Sequence, residues 1–298
     1  MAGLTAGFFL DEHIAGVTVA LPYILIVVVF FMGTSCTLES FKSIVQAPKG
    51  FIVALLTIFL CMPVIGFLMG YLFHRGNPSF AVGHFLLSVT PVAITSMIWT
   101  GIAGGNIALA LALVTVGTLV SGFNIPLQMA LFMGKVVEFD AAALMGSLSR
   151  TIVIPVLLGL AVRNRAPRLI EPLRPYMDLL TKITLVVILS VNGAVVRPYI
   201  SSFDWEIVRL FLFVALHNFL NFSVSLGIAW AALGKRHPAL PTVVYAASMK
   251  NNAAGVVIAL NYFGPIVALP VVITMLMQQL WAGGFYRVIR RLKHQIIS

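Results

Sequence analysis

The fold of this 298-residue chain is decided by the stretch ASMKNNAAG, residues 247–255. It places a lysine and two asparagines, residues 250–252, in the middle of an otherwise apolar run. A second apolar run is interrupted by SVTPVAITSM, residues 88–97, which contains Pro91. Proline and clustered polar groups interrupt helices, and interrupted helices inside a membrane often frame a binding site. The two stretches predict a membrane protein with two broken helices at its functional centre.

The composition excludes a soluble protein. Charged residues make up 9% of the chain, whereas a soluble domain has roughly 25%. Apolar residues make up 60%, and the mean hydropathy is +1.03. In water such a chain would expose a large apolar surface. Disordered, collagen-like and disulfide-rich classes are excluded on the same grounds, which leaves a polytopic membrane protein.

Nine apolar segments are candidates for membrane-spanning helices. Their runs are long and show no alternation of polar and apolar residues, so helices are expected rather than barrel strands. Each segment is bounded by glycine, proline or charge. The predicted fold class is therefore all-α, with about nine transmembrane helices. The predicted spans are A 14–35, B 51–73, C 79–102, D 106–133, E 147–162, F 176–196, G 207–233, H 241–260 and I 265–286.

The distribution of lysine and arginine predicts the orientation. With the N-terminus outside, the inner loops and the tail hold twelve basic residues and the outer loops hold three. Inner loops are normally the basic ones, so the N-terminus is expected outside and the C-terminus in the cytoplasm of a cell membrane. The net charge of +10 then faces an anionic lipid leaflet, and nucleic acid is not an expected partner. Asp11 and Glu12 precede the first apolar run, so a cleavable signal peptide is not expected.

The two interrupted spans also predict an inverted repeat. Spans C and H lie five spans apart, so they cross the membrane in opposite senses. The same pairing matches A with F, B with G and D with I, and leaves E without a partner. We therefore expect a single domain of five-plus-five design lacking its first helix, with repeats at about 1–134 and 140–298. The alternative is that Pro91 is a simple kink and that the asparagine pair packs against a neighbouring helix.

Lys250 is the most informative candidate for a functional residue. It lies roughly 14 Å from either end of span H, too far for its ammonium to reach water easily. A lysine at this depth costs at least ~3 kcal/mol, and no aspartate or glutamate lies in the core of a span. A transported anion is therefore its expected partner. Alternatively, the lysine is neutral in the empty site and takes up a proton together with the anion, or backbone carbonyls of the broken helix hold it.

Several neutral polar side chains lie at similar depths and are candidates for substrate contacts. Asparagines in membrane helices also join neighbouring helices, and hydroxyls also bond back to their own helix, so these roles stay open. A buried histidine is more often a packing residue than a ligand, and this role is expected for His84 in C and His217 in G. The predicted substrate-binding residues beside Lys250 are Asn251, Asn252, Thr95, Ser96, Thr100, Gln278 and Gln279, and Pro91, His217 and Asn218 are possible structural residues.

Catalytic and metal-binding motifs are not found in the sequence. It contains no HExxH motif, no phosphate-binding loop ending in GKS or GKT, and no paired carboxylates inside a span. The spacing of cysteine and histidine offers no metal site. We therefore expect neither an enzyme nor a metal or other cofactor.

Four stretches resemble the bile acid:sodium symporter family, within the wider bile/arsenite/riboflavin transporter group. The resemblance implies a ten-helix inverted repeat in which C and H cross at their breaks. It also implies a panel of outer helices that moves against a core to give alternating access. Here the first family helix is missing or reduced to AGLTAGFFLDEHIAG. The stretches are FFMGTSCTLESFKSIVQAPKG at 30–50, TPVAITSMIWTGIAGGNIALALALVTVGTLVS at 90–121, ALHNFLNFSVSLGIAW at 215–230 and SMKNNAAGVVIALNYFGP at 248–265.

The chain departs from this family at the residues that bind sodium. Family members that couple to sodium have an asparagine where this chain has Met97. Their hydroxyl ligands on the next helix fall on Ala110 and Val114. Their glutamate falls on Ala246, and their glutamine on Lys250. The resemblance therefore predicts a transporter that does not use sodium, in which Lys250 replaces the bound cation.

The predicted function is secondary transport of a small organic anion, either bile-acid-like or another amphipathic carboxylate or sulfonate. Uniport and proton coupling are both open, and the protein is expected to be a monomer or a weak homodimer in the lipid bilayer. One alternative is a sodium-coupled symporter with altered ion sites. A receptor that binds a similar ligand without transport and a channel are further alternatives.

Overall fold

The computed structural model describes residues 11–35, 38–73, 76–173 and 205–294, together with scattered positions between 175 and 197. Regular structure in this part of the chain is helical, apart from one isolated β-bridge. The α-helices are α1 (Asp11–Ser35), α2 (Leu38–Gln46), α3 (Pro48–Leu56), α4 (Met62–Phe73), α5 (Pro78–Val89), α6 (Thr95–Ile102), α7 (Ile107–Met133), α8 (Ala141–Leu148), α9 (Ile154–Arg165), α10 (Pro167–Ile170), α11 (Trp205–Leu233), α12 (Ala239–Ser248), α13 (Asn252–Tyr262) and α14 (Pro265–His294).

The all-α membrane fold is confirmed. Five helical segments among the described residues are long and apolar enough to cross a membrane, and shorter apolar helices accompany them. Two of the five contain a π-helical turn, Thr57–Cys61 between α3 and α4 and Ser149–Val153 between α8 and α9. The five segments are Pro48–Phe73, Ile107–Met133, Ala141–Arg165, Trp205–Leu233 and Pro265–Leu292.

Most predicted spans agree with helices, and the differences have local causes. Span E begins six residues earlier than predicted, because the Asp140 side chain accepts hydrogen bonds from the N–H groups of Ala142 and Ala143 and starts the helix there. Span I continues to His294 as a basic extension of α14. Span F falls mostly outside the described residues, and its described positions are helical.

The connection between spans A and B contains a helix that the sequence analysis did not separate. Helix α2, LESFKSIVQ, carries apolar residues on one side and polar residues on the other, and it packs against α7. A helix of nine residues with several polar side chains is too short and too polar to cross a membrane, so the apolar runs of the sequence do not reveal it.

Spans C and H are both broken, as the sequence predicted. Span C consists of α5 and α6, and span H consists of α12 and α13. Thr90 is extended, with φ −61° and ψ 155°, because the ring of Pro91 disfavours helical backbone in the residue before it. Met249 is extended in the same way after α12, with φ −99° and ψ 120°. Pro91 therefore ends a helix and does not merely bend one.

The broken helices lie inside a packed core. Helix α5 packs against α4, α7, α13 and α14, and helix α12 packs against α3, α6, α7 and α11. The π-turn after α3 is joined to α7, because Gln128 donates from Nε2 to the Phe59 carbonyl oxygen at 2.9 Å. Helix α1 packs mainly against α9. Outside this pair, α1 packs against the π-helical turn Ser149–Val153 and α13, and α9 packs against the same turn, α7 and α10.

Helices α1 and α9 approach each other at two glycines. A Cβ atom at Gly33 would collide with the carbonyl oxygen of Val156, and one at Gly159 would collide with that of Phe30. Backbone-to-backbone contact of this kind is the usual way in which small residues join membrane helices.

We expect Gly159→Ala to lower the free energy of unfolding by about 1–3 kcal/mol, because the added methyl group must push α1 away from α9. Reversible unfolding in mixed micelles measures this change. Gly227→Ala is the matched control, because no atom lies within 4 Å of a Cβ at that position of α11. Equal stability of the Gly159 variant and the wild type would contradict the close contact.

Candidate functional site

The two breaks cross each other and pair through their backbones. Val92 and Lys250 form an antiparallel β-bridge. The N–H of Ala93 donates to the Met249 carbonyl at 3.0 Å, and the N–H of Asn251 donates to the Pro91 carbonyl at 2.7 Å. Backbone groups away from water need such partners. The crossing that the family resemblance implies is therefore present, whereas the inverted repeat as a whole stays a prediction.

Two asparagines follow Lys250 and have different roles. Asn251 begins α13, and its Oδ1 accepts a hydrogen bond from the Ala254 N–H at 3.2 Å. This is the normal work of an N-cap residue. Asn252 is buried, and its Nδ2 lies 3.4 Å from Oε1 of Gln278. The second asparagine is thus the one whose side chain belongs to the crossing.

Gln278 holds the crossing from α14. Its Oε1 accepts a hydrogen bond from the Lys250 N–H at 2.8 Å. Gln279 is exposed, and its Oε1 accepts from Nε1 of Trp99 at 2.9 Å. The sequence placed both glutamines at one cavity. The structure brings only Gln278 to the crossing, because adjacent helical residues point about 100° apart.

The Lys250 side chain is enclosed. The residue is 2% exposed, and its Nζ has no hydrogen-bond acceptor among the described residues. The carboxylates whose side chains the structure describes lie near the ends of helices or outside them, at Glu138, Asp140, Glu171 and Glu206. A buried ammonium without a counter-ion is energetically costly, so this atom marks the candidate site.

A polar face of α11 lies beside the crossing. His217 begins this face, and Asn218, Asn221 and Ser225 continue it. The hydroxyls of Ser225 and Ser248 are 2.7 Å apart. The Oδ1 atoms of Asn218 and Asn221 are buried without a hydrogen-bond donor in the described part of the chain. Asn218 also donates to Thr274 on α14 at 3.3 Å.

The sequence did not predict four polar residues near the crossing, Asn221, Ser225, Ser248 and Thr274. A signal for two of them was available, because residues 217, 218, 221 and 225 recur at the three-to-four-residue spacing of one helix face. Ser248 and Thr274 carry no comparable signal, since each is a single hydroxyl in an apolar helix.

The predicted hydroxyl residues of span C lie on α6. Ser96 and Thr100 are one turn apart and fully buried, and neither side-chain oxygen has a hydrogen-bond partner within the described ranges. Thr95 is half-buried. Helix α6 packs against α7 and α12, so these hydroxyls belong to the same core as the crossing.

Apart from Lys250, the positions that the resemblance aligns with the family's sodium ligands carry apolar side chains. Ala110, Val114 and Ala246 have no exposed surface, and Met97 is half-buried. Helices α6, α7 and α12, which carry them, pack against one another. Hard cations need several oxygen ligands. Alkyl and thioether side chains together with a lysine do not fit a sodium ion, and the described residues hold no cluster of histidine, cysteine and carboxylate suited to another metal.

His84 and His217 contact each other although they lie 133 residues apart in the chain. Their Nδ1 atoms are 3.0 Å apart, and their rings are stacked with planes inclined by 17°. The Ser88 hydroxyl lies 3.0 Å from Nε2 of His217. All three residues are fully buried. The expected packing residues thus form a hydrogen-bonded cluster.

A cavity of about 300 Å³ lies between α1, the α8 segment and α13. This volume is at the lower end of the range for small-molecule sites. Its wall combines aliphatic side chains with two hydroxyls, an amide and a phenol. The lining residues are Pro22, Leu25, Ser147, Leu148, Thr151, Val257, Ile258, Asn261 and Tyr262.

We expect Gln278→Ala to lower the free energy of unfolding by about 1–3 kcal/mol, because it leaves the buried Lys250 N–H without its acceptor. Gln279→Ala is the matched control one residue further on. It removes an exposed hydrogen bond and is expected to cost less than about 1 kcal/mol. Unfolding in mixed micelles compares the two variants, and equal losses would contradict the special position of Gln278.

Comparison with known proteins agrees with this architecture. The family model described as the sodium bile acid symporter family matches residues 22–203, more than half of the chain. The uncharacterized protein YbaS of Bacillus subtilis (strain 168) is 28% identical over 289 residues, covering 96% of this chain and 93% of YbaS. The uncharacterized sodium-dependent transporter YocS of the same organism is 26% identical over 245 residues, covering 82% of this chain and 74% of YocS.

A plant relative carries a similar description. The probable sodium/metabolite cotransporter BASS1, chloroplastic, of Oryza sativa subsp. japonica is 29% identical over 242 residues, covering 80% of this chain and 58% of the rice protein. The relatives described by function are transporters and not enzymes. Together with the crossed broken helices, the family match establishes that this chain is an integral membrane protein of the sodium bile acid symporter family.

Proposed function

We propose that the protein is a secondary transporter of a small organic anion, that it works by alternating access, and that it does not require sodium. The observation that carries the proposal is the Lys250 ammonium, buried at the crossing without an acceptor among the described residues. In sodium-coupled relatives the resemblance implies a bound cation at this position. Here a covalently attached cation takes its place.

Electrostatics favours an anion as the substrate. Burying an unpaired charge costs several kcal/mol, and an opposite charge in the same low-dielectric region recovers part of that cost. Because the described helices supply no carboxylate near Lys250, the counter-ion has to come from a ligand. The same reasoning allows a neutral lysine that takes up a proton when the anion arrives.

The surroundings favour an amphipathic anion. Hydroxyl and amide groups at Ser96, Thr100 and Asn252 lie in the same core as the apolar side chains of Met249 and Trp99. The cavity between α1 and α13 combines apolar and neutral polar groups in a similar way. A carboxylate or sulfonate attached to an apolar body fits both environments.

A sodium-coupled symporter is the second candidate, because YocS and BASS1 are described as sodium-dependent or sodium-coupled. It requires a sodium site different from the family's, since the corresponding positions here are apolar. A receptor that binds the anion without transport is separated from both candidates by an uptake measurement.

The proposed location is a cell membrane, with the N-terminus outside and the C-terminus in the cytoplasm. This orientation places the basic end of α14 and the Lys235–Arg236 turn on the cytoplasmic side. Lys235 lies over the Trp230 ring at 4.7 Å, a pairing suited to a membrane–water interface.

We expect uptake of an amphipathic anion to be unchanged when sodium is replaced by choline. Purified protein is first screened by thermal stability against taurocholate, cholate and small carboxylates, and the most stabilising anion is then used in proteoliposomes. Lys250→Met is expected to weaken binding of this anion about tenfold or more, equivalent to about 1.4 kcal/mol or more. Lys235→Met, which removes a half-buried lysine from the turn before α12, is the control.

Uptake that collapses in choline would contradict the sodium-free mechanism. A variant that combines Met97→Asn, Ala110→Ser, Val114→Thr, Ala246→Glu and Lys250→Gln provides the converse test, because it returns oxygen ligands to all five positions that differ from the sodium-coupled members. Its anion uptake is expected to become sodium-dependent, whereas the Lys235→Met control stays indifferent to sodium.

The orientation predicts which engineered cysteines are labelled from outside. In a variant without Cys36 and Cys61, Lys135→Cys is expected to react with a membrane-impermeant maleimide in intact cells. Lys235→Cys is expected to react only after the cells are opened. The reverse pattern would contradict the proposed orientation.

A further inference from the structure

The contact between His84 and His217 constrains the protons on both rings. A hydrogen bond between two Nδ1 atoms 3.0 Å apart needs a proton on one nitrogen and none on the other. Two neutral rings in this contact must therefore be opposite tautomers, one protonated at Nδ1 and the other at Nε2. The pair therefore has two arrangements, which differ in the ring that carries the Nδ1 proton.

The same contact accepts one more proton without losing its hydrogen bond. A proton that binds Nε2 of the Nδ1-protonated ring makes an imidazolium, which still donates from Nδ1. Transfer of that Nδ1 proton makes the second ring the imidazolium and leaves the first ring neutral. The second ring then releases its own Nε2 proton. One proton has entered at one end of the pair and one has left at the other end, with the total unchanged.

Ser88 extends this path on the His217 side. Its hydroxyl lies 3.0 Å from Nε2 of His217 and 3.4 Å from the His84 carbonyl oxygen, which is an acceptor for it. A hydroxyl both accepts and donates, so it passes a proton on. Gly66 closes the cluster from α4, because a Cβ atom there would collide with Oγ of Ser88.

The path leads towards Lys250. Ser88 is one helical turn beyond His84 on α5, and Val92, the bridge partner of Lys250, follows four residues later. The charge of Lys250 acts on His217, and no hydrogen bond joins its ammonium to a described residue, so the last transfer requires the ammonium or a water molecule to move between them. Histidine is one of the residue types that form proton relays inside membrane pumps and transporters.

Other titratable groups on the neighbouring helices are less well placed. The Tyr245 hydroxyl on α12 donates to the Ala282 carbonyl at 3.3 Å. The remaining titratable groups on these helices lie near helix ends. They are Lys49, Tyr71, Glu206, Arg209, Tyr262 and the basic residues of α14, with Tyr286 next to Arg287. Among these groups, Lys250 is therefore the one with which the histidine pair is best placed to exchange a proton.

We propose that His84, His217 and Ser88 form a proton relay that loads and unloads Lys250, so that the anion is transported together with protons. The coupling rests on the proposed function, which gives Lys250 its role in anion binding. Two positive charges repel strongly in a low-dielectric interior. One proton therefore resides either on the histidine pair or on Lys250, and an arriving anion draws it to Lys250.

The relay is tested without a transported substrate, by the exchange of the Lys250 Nζ hydrogens for deuterium. NMR of the full chain in lipid bilayers, with isotope-labelled lysine side chains, follows this exchange, and Lys250→Met identifies the resonance. Exchange is expected to slow about tenfold or more in His217→Gln, His84→Gln and Ser88→Ala, because each removes a proton carrier. The control His237→Asn replaces a histidine at the start of α12 and is expected to exchange at the wild-type rate.

Wild-type exchange rates in all three relay variants would overturn the proposal. Wild-type exchange complete within the dead time would also overturn it, because water would then reach Lys250 directly. Three separate variants keep the test decisive where one fails to fold. Because no transported anion enters this measurement, a sodium-dependent uptake result would refute the proposed function and leave the relay standing.

Discussion

The rest of the structure depends on the backbone exchange between the two broken helices. Lipid offers no hydrogen bonds, so each interrupted helix in the membrane must find partners for the groups that it exposes. The Pro91 break and the Lys250 break provide partners for each other, through the bridge at Val92 and the two hydrogen bonds beside it. Neither break would be tolerable alone. The pairing fixes the relative positions of α5, α6, α12 and α13, and the remaining core helices pack around them.

This constraint explains why the functional groups lie where they do. The backbone groups at the crossing form hydrogen bonds with each other and not within a helix. The side chains there therefore do not follow the spacing of a helix. Gln278 on α14 holds the backbone of Lys250 by accepting a hydrogen bond from its N–H. Ala110, Val114 and Ala246 are buried alkyl groups that provide no counter-ion for Lys250, which agrees with a proposed substrate that brings its own negative charge. The same packed helices therefore fix the backbone of Lys250 and surround it with side chains that carry no charge.

The sequence predicted the broken spans, the membrane class and the polar centre, because proline, lysine and asparagine in apolar runs have few physical explanations. It could not divide the roles of Asn251 and Asn252, since capping depends on where α13 begins. It placed Gln278 and Gln279 together, because the direction of a side chain around a helix axis depends on its neighbours. The sequence could not predict the contact of His84 with His217, because the two residues lie 133 positions apart and share no motif.

The extended backbone at the H break has a consequence for how this chain tolerates change in length. In extended structure successive side chains alternate between two sides. One inserted or deleted residue between Met249 and Asn252 would turn the ammonium to the opposite side and shift every backbone pair at the crossing. A loop absorbs such a change, whereas here the register of three residues sets the position of the charge. Substitutions can modify this site, but its spacing is as rigid as that of a β-sheet.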